Sequence, residues 1–111
     1  MTQAFLFTVY IKFIRKAGEL MKATKIRMKP GKNYSQNLEE IDEIYLEGCQ
    51  TPGFYKKSAV HDYLKKNPNS IKVNIYPFPY LIPAVSSNNE KYVRSTPNNS
   101  THDNLLDLPR V

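Results

Sequence analysis

The side chains of this 111-residue chain that could move protons or attack an electrophile are two histidines, one cysteine and a scatter of carboxylates. Cys49 with His61 or His102 would give a nucleophile and a base, but such chemistry also needs donors for the developing oxyanion, and the sequence signals none. His102-Asp103 beside Ser100 and Thr101 has the composition of a triad, yet consecutive residues rarely point at one another. Asp103 reads better as a helix cap. His61, His102 and Cys49 are too far apart in sequence, and too poorly supported by acids, to form a metal set. Asp42, Glu43 and Glu47 lack a partner base or metal for acid-base work and read as structural. With four glycines in the chain there is no Gly-rich phosphate loop. The expectation is no catalytic residue, no metal, no cofactor and no small-molecule substrate.

The elements that position these residues follow from periodicity. Lys22 to Lys29 alternates, with Ile26 and Met28 on one face and Lys25, Arg27 and Lys29 on the other, which predicts a half-buried strand with a basic outer face. Pro30-Gly31 breaks it, and a polar loop runs to Glu40. Ile41 to Gly48 resumes strand character, with Ile44 and Leu46 inward and Tyr45 and Glu47 outward. Antiparallel pairing would set its acids against the basic first strand. Cys49 to Tyr55 carries the turn signal Pro52-Gly53. Ser58 reads as the cap of a helix from Ala59 to about Lys66, with Ala59, Val60, Tyr63 and Leu64 as its apolar stripe and His61 solvated off it. Lys65 and Lys66 suit the helix end, and Asn67-Pro68 closes it. Ser70 to Tyr76 alternates strongly and predicts a strand, with Ile71, Val73 and Ile75 inward. Tyr76-Pro77-Phe78-Pro79-Tyr80 cannot sit inside a sheet, because prolines donate nothing to a ladder. It is either a recognition surface or a set of rings packed on the domain's own edge. Leu81 to Val85 returns to strand, and Ser86-Ser87-Asn88-Asn89 turns the chain toward Lys91.

Length allows one domain with a modest core, taken as residues 21–111. A single cysteine excludes an internal disulfide and suits a reducing cytoplasm. The first twenty residues differ from the rest. Ala4 to Ile11 is too short to cross a bilayer, and its basic residues follow the apolar run instead of preceding it as in a signal peptide. They are an extra edge strand, a membrane-touching segment or a translated leader. For the last, codons for Ala17-Gly18-Glu19 can spell a purine-rich ribosome-binding sequence just before Met21.

The closing stretch organises the rest. Lys91 to Ser95 has strand composition, with Tyr92 and Arg94 on one face and Val93 opposite. Pro97-Asn98-Asn99-Ser100 reverses the chain. Asp103 then caps a single turn, Asn104 to Asp107, which Pro109 ends. Leu105, Leu106 and Leu108 make little sense in water, so at least two belong in the core. Arg94 and Asp103 face each other across the turn as a candidate charge-assisted pair.

These residues resemble the closing pattern of a family of small bacterial and phage proteins, catalogued as domain of unknown function three-eight-nine-two. The likeness lies in Tyr92-Val93-Arg94-Ser95, then Asp103-Asn104-Leu105, then Leu108-Pro109, and extends from about Lys22 to the end. Where relatives carry Asp-Gly in the turn, this chain has Asn98-Asn99. The resemblance implies a fold and a structural role for Tyr92, Arg94, Asp103, Asn104, Leu105, Leu108 and Pro109; it implies no reaction.

The expected architecture is α+β. A small, mainly antiparallel sheet of three to five strands carries one helix on one face, and a C-terminal leucine-rich turn closes the core. The expected function is a non-enzymatic accessory or binding protein of bacterial or phage origin, cytoplasmic, acting through a surface toward a protein partner. Membrane contact enters only with residues 1–20. The alternative is weak, non-specific nucleic-acid binding through Lys25, Arg27, Lys29, Lys56, Lys57 and Lys65. The net charge of +6 falls to +4 once the three basic and one acidic residues of the first twenty are set aside, which weighs toward a merely solvated basic surface.

Overall fold

The computed structural model of the chain describes residues 20–98 and 102–111. The expectations for residues 1–19, and the second half of the reversal expected at Pro97 to Ser100, fall outside the described residues. Those residues form six strands in two sheets. The larger comprises β1 (Met21–Met28), β2 (Ile41–Glu47), β3 (Gly53–Lys56) and β4 (Ile71–Val73), in the order β3-β2-β1-β4. β2 is antiparallel to both β1 and β3, whereas β4 runs parallel to β1. β5 (Leu81–Val85) and β6 (Lys91–Ser95) form a separate antiparallel hairpin. Helix α1 (Lys57–Lys66) packs against this hairpin and also meets β2 and β3. Single 3-10 turns occupy Leu38–Glu40 and Asn104–Asp107. The α+β expectation, with one helix and a small sheet, is met. No helix among the described residues is long and apolar enough to cross a membrane.

The alternating apolar residues build the core as expected. Ile26, Ile44 and Leu46 from β1 and β2, and Ile71 and Val73 from β4, are fully buried with Val60 and Leu64 of α1. The pattern in β1 changes phase midway. Met21 and Ala23 point inward, and then Ile26 and Met28 do. The register against β2 shifts between Ala23 and Lys25, so an extra residue is accommodated there as a bulge. Gly48 ends β2 at φ +81, and a Cβ at this position would collide with the backbone carbonyl of Leu20, so the site suits glycine alone.

Four sequence expectations change. Gly53–Lys56 is a strand, because Pro52-Gly53 turns the chain into pairing with β2 instead of away from the sheet. The helix begins at Lys57 with Lys56 at its cap, where no side chain accepts a helix amide; Ser58 lies inside the first turn. The strand expected over Ser70 to Tyr76 pairs only through Ile71–Val73. Past it, Asn74 donates its N–H to Ala23, and the chain turns through a cis Tyr76-Pro77 bond and Phe78 at φ 59. His61 is also not solvated: it lies buried on α1.

The C-terminus closes the core as predicted. Leu105, Leu106 and Leu108 are all buried. The tail then adds to the edge of β1 beyond the end of β4. Ile26 N–H donates to Pro109 O at 2.9 Å, and Val111 N–H donates to Ile26 O at 3.0 Å. Arg110 fixes this return from the other side, donating to the carbonyls of Asn33, Ser35 and Leu106. Truncating Leu105 to alanine removes side-chain volume from a site with no access to solvent, and is expected to cost about 2–5 kcal/mol. Val111→Ala, at a side chain standing mostly in water, should change stability by less than about 0.5 kcal/mol. Urea denaturation of the two variants measures the contrast.

Candidate functional site

The side chains first considered for chemistry are held by structural roles. Cys49 is buried, and its thiol lies 3.4 Å from Thr51 O and 3.9 Å from Leu46 O. Burial pushes its pKa up, opposite to the direction a thiolate nucleophile needs. Neither histidine is among its hydrogen-bond partners. His61 Nδ1 lies 3.0 Å from Tyr92 O; a carbonyl only accepts, so this nitrogen carries the proton and ties α1 to β6. His102 pairs through Nε2 with Asp107 at 2.6 Å on the surface. Among the described residues no three His, Cys, Asp or Glu side chains gather as metal ligands would.

Asp103 takes the expected capping role, accepting from Leu105 N–H at 2.9 Å. The expected partner Arg94 is replaced by Ser95. Asp103 accepts from Ser95 N–H at 3.0 Å and from Ser95 Oγ at 2.6 Å, because Ser95 faces inward toward the tail while Arg94 alternates outward into solvent. Buried Asn104 accepts from Asn98 Nδ2 at 2.7 Å. These groups border a concavity of about 590 Å³ whose lining includes Leu38, Tyr92, Arg94, Thr96, His102 and Asp103. Most of its polar walls are already bonded to one another. Arg94 there has no ion-pair partner among the described residues.

The basic residues divide among separate places. Lys57 is buried at the start of α1, where its ammonium donates to Glu90 at 2.7 Å and to the carbonyl of Glu39. Lys29, at the end of β1, donates to the same Glu90 oxygen at 2.9 Å. The two ammonium groups, Lys57 first, hold the Glu90 carboxyl down to about 2, and Glu90 in turn raises the pKa of Lys29. Lys65 stands exposed in the last turn of α1. Lys25, Arg27 and Lys56 share the face of the large sheet opposite its buried side.

That outer face is the most distinctive surface of the molecule. Tyr45 and Phe54, cross-strand partners on β2 and β3, meet edge to face with centroids 5.0 Å apart. The Arg27 guanidinium stacks 3.9 Å from the Phe54 ring and donates to Glu43 at 2.8 Å. Lys56 pairs loosely with Asp42 at 3.4 Å. The half nearer β4 is different. Lys25 places its ammonium 4.7 Å from the Tyr45 ring, and Lys72 places its own 5.0 Å from the Tyr80 ring. Lys22 lies beside Lys72 in the parallel register. The nearest acid, Glu47, is opposite Lys22 and is bonded by Thr24 Oγ1. Lys22, Lys25 and Lys72 have no carboxylate partner within ion-pair distance among the described residues. Beyond Lys72 the proline loop carries Tyr76, 81% exposed, and Phe78, 47% exposed, whose rings meet edge to face at 6.1 Å.

The outward placement of Tyr45, Lys25 and Arg27 is readable from alternation in β1 and β2. Phe54 is missed because its strand is taken for a turn, although Gly-Phe-Tyr-Lys has the aromatic composition of an edge strand. Lys72 and Tyr80 meet only through an isolated antiparallel bridge across the proline loop, which no local pattern announces.

One helix with six strands in two mostly antiparallel sheets defines an α+β protein with an open sheet face of rings and cations. The chain belongs to the family described as protein of unknown function (DUF3892), whose model matches residues 22–109. No curated protein and no solved structure matches it.

Replacing Asp103 by alanine strands the Ser95 and Leu105 donors and should cost about 2 kcal/mol in urea denaturation; Asp103→Asn, which keeps one acceptor oxygen, should cost less. Glu90 gives a pH signature. Its folded pKa of about 2 lies below the usual 4.5, so its contribution is complete above about pH 4.5 and disappears as pH falls through about 2. Glu90→Gln should lower the urea midpoint at neutral pH, and the gap from wild type should close as the pH is lowered across that window.

Proposed function

We propose that the protein is a non-enzymatic binding module of bacterial or phage origin, acting in the cytoplasm through the outer face of its large sheet. The observation that carries this reading is the array of three cation-ring pairs on that face, Arg27 on Phe54, Lys25 on Tyr45 and Lys72 on Tyr80. Aromatic rings and arginine kept at the surface are enriched where proteins meet partners, which applies to Tyr45, Phe54, Tyr80 and Arg27; the two lysines add positive charge beside those rings. Chemistry has little to build on: the buried thiol is raised in pKa, and both histidines have structural partners.

Phosphate gripping by all six expected basic residues is less well supported. Arg27, Lys29, Lys56 and Lys57 share their charge with Glu43, Glu90 and Asp42, and Lys65 stands apart from them on α1. Among the described residues, the concavity beside Arg94 offers this one cation without an ion-pair partner, set among groups mostly bonded to each other.

A photo-crosslinking residue at Lys25, on the outer face, is expected to capture a partner in lysate of the native host. The same residue at Lys66, on α1, should not, and capture should fail when Tyr45 and Phe54 are both changed to serine with the fold intact by circular dichroism. Equal capture from both positions, or capture that ignores the two rings, would remove the reading.

A further inference from the structure

Resting on the binding reading above, we infer that the partner of the outer face is single-stranded nucleic acid, with bases stacked on Tyr45 and Tyr80 and phosphates tracked by Lys22, Lys25 and Lys72. The argument is one of placement. Tyr45 lies on β2 and Tyr80 is bridged to Lys72 just beyond β4. Three strand spacings of about 4.8 Å therefore separate the two rings across the sheet, about 14 Å, and because Tyr45 is level with Lys25 while Tyr80 is level with Lys72 and Lys22, they are offset along the strands as well. Between them stand the three lysines without carboxylate partners among the described residues. A ring, a cluster of free ammonium groups and a second ring, in that order across a flat sheet, match what an unpaired strand presents: flat faces alternating with negative charge.

The division of charge within the face sharpens the inference. On the β2–β3 side Glu43 and Asp42 neutralise Arg27 and Lys56, so the field is weak there. On the β1–β4 side the one facing acid is Glu47, opposite Lys22 and bonded by Thr24, so three lysines leave an excess of positive charge, which gives a strand a preferred path across β1 and β4. A duplex fits poorly, since its bases show no free π-face and the flat sheet offers no projecting element to enter a groove. An acidic protein surface would satisfy the lysines but leave the two rings without a stacking partner.

The test uses the full chain and fluorescence anisotropy with labelled oligothymidylate and oligouridylate of about 12 nucleotides, beside a duplex of equal length. At about 50 mM salt the single strands should bind, with the duplex at least about tenfold weaker. Tyr45→Ser should weaken single-strand binding about 5- to 100-fold, the loss expected for one stacked base. Lys72→Gln should weaken all sequences alike and reduce the slope of log affinity against log salt by about 0.7, while Lys65→Gln changes neither. Two outcomes would overturn the inference: no single-strand binding at low salt, or equal binding of the duplex that Tyr45→Ser leaves untouched. If the oligonucleotides fail while the Lys25 crosslink still captures a protein in a ring-dependent way, the binding module stands and its nucleic-acid partner falls.

Discussion

Ile26 gives both of its backbone polar groups to the C-terminal tail, and the rest of the sheet depends on this bond pair. β1 is one of the two inner strands, with β2 along one edge; its other edge is shared end to end by two short pieces, β4 as far as Ala23 and the tail at Ile26. Neither piece alone could satisfy that edge, and buried backbone groups without partners are costly. The bulge between Ala23 and Lys25 marks the changeover. It shifts the inward phase from odd to even positions, so that Met21, Ala23, Ile26 and Met28 are all buried although they do not share one alternation. The same shift leaves Lys25 outward and paired with Tyr45. The handover of the β1 edge from β4 to the tail and the outward place of Lys25 thus fall at one irregularity in β1.

A second constraint works at the start of the helix. Lys57 is buried where α1 begins, a place where the helix dipole disfavours positive charge, and an unpaired buried ammonium would be strongly unfavourable. Glu90 reaches it from the β5–β6 connection, Lys29 joins from the end of β1, and the Glu39 carbonyl takes another of its protons. Four elements far apart in sequence converge on this group. Its stabilising value lies less in net energy than in position, because it fixes where the hairpin sits against the helix.

What the sequence disclosed was what local periodicity encodes. Alternation located β1, β2 and β6 with the inward Ile26, Met28, Ile44, Leu46 and Val93, though not Met21, Ala23 or Ile41; the helical stripe located Val60, Tyr63 and Leu64; and apolar content alone placed Leu105, Leu106 and Leu108 inside. What it withheld depends on distant partners. His61 lies off the stripe of the sheet-facing side, but α1 is covered on a second side by β5 and β6, so a residue that a one-sided helix would expose is buried. Asp103 chose Ser95 over Arg94 because alternation in β6 sends Ser95 toward the tail. Ser70 to Tyr76 carries the alternation of a long strand, yet the tail occupies the edge of β1 from Ile26 onward, leaving room for three residues of β4.

If the outer face takes a strand as inferred, that strand meets competition: the rings are already occupied by the protein's own cations, and it must displace them or stack alongside. The energies favour displacement. A cation over a ring at an exposed site contributes about 0.5–1 kcal/mol, whereas a base stacked on an aromatic side chain contributes about 1–3 kcal/mol. The displaced cation is not wasted, because Lys25 and Lys72 sit on long flexible stems and can swing from ring to phosphate within the same contact. Arg27 is differently placed, since leaving Phe54 would also strain its bond to Glu43. The two halves of the face therefore differ in kind. On the β2–β3 side Arg27 and Lys56 are tied to Glu43 and Asp42, whereas Lys25 and Lys72 hold only the rings of Tyr45 and Tyr80, so under the proposed reading these two pairs are the ones a bound strand would exchange.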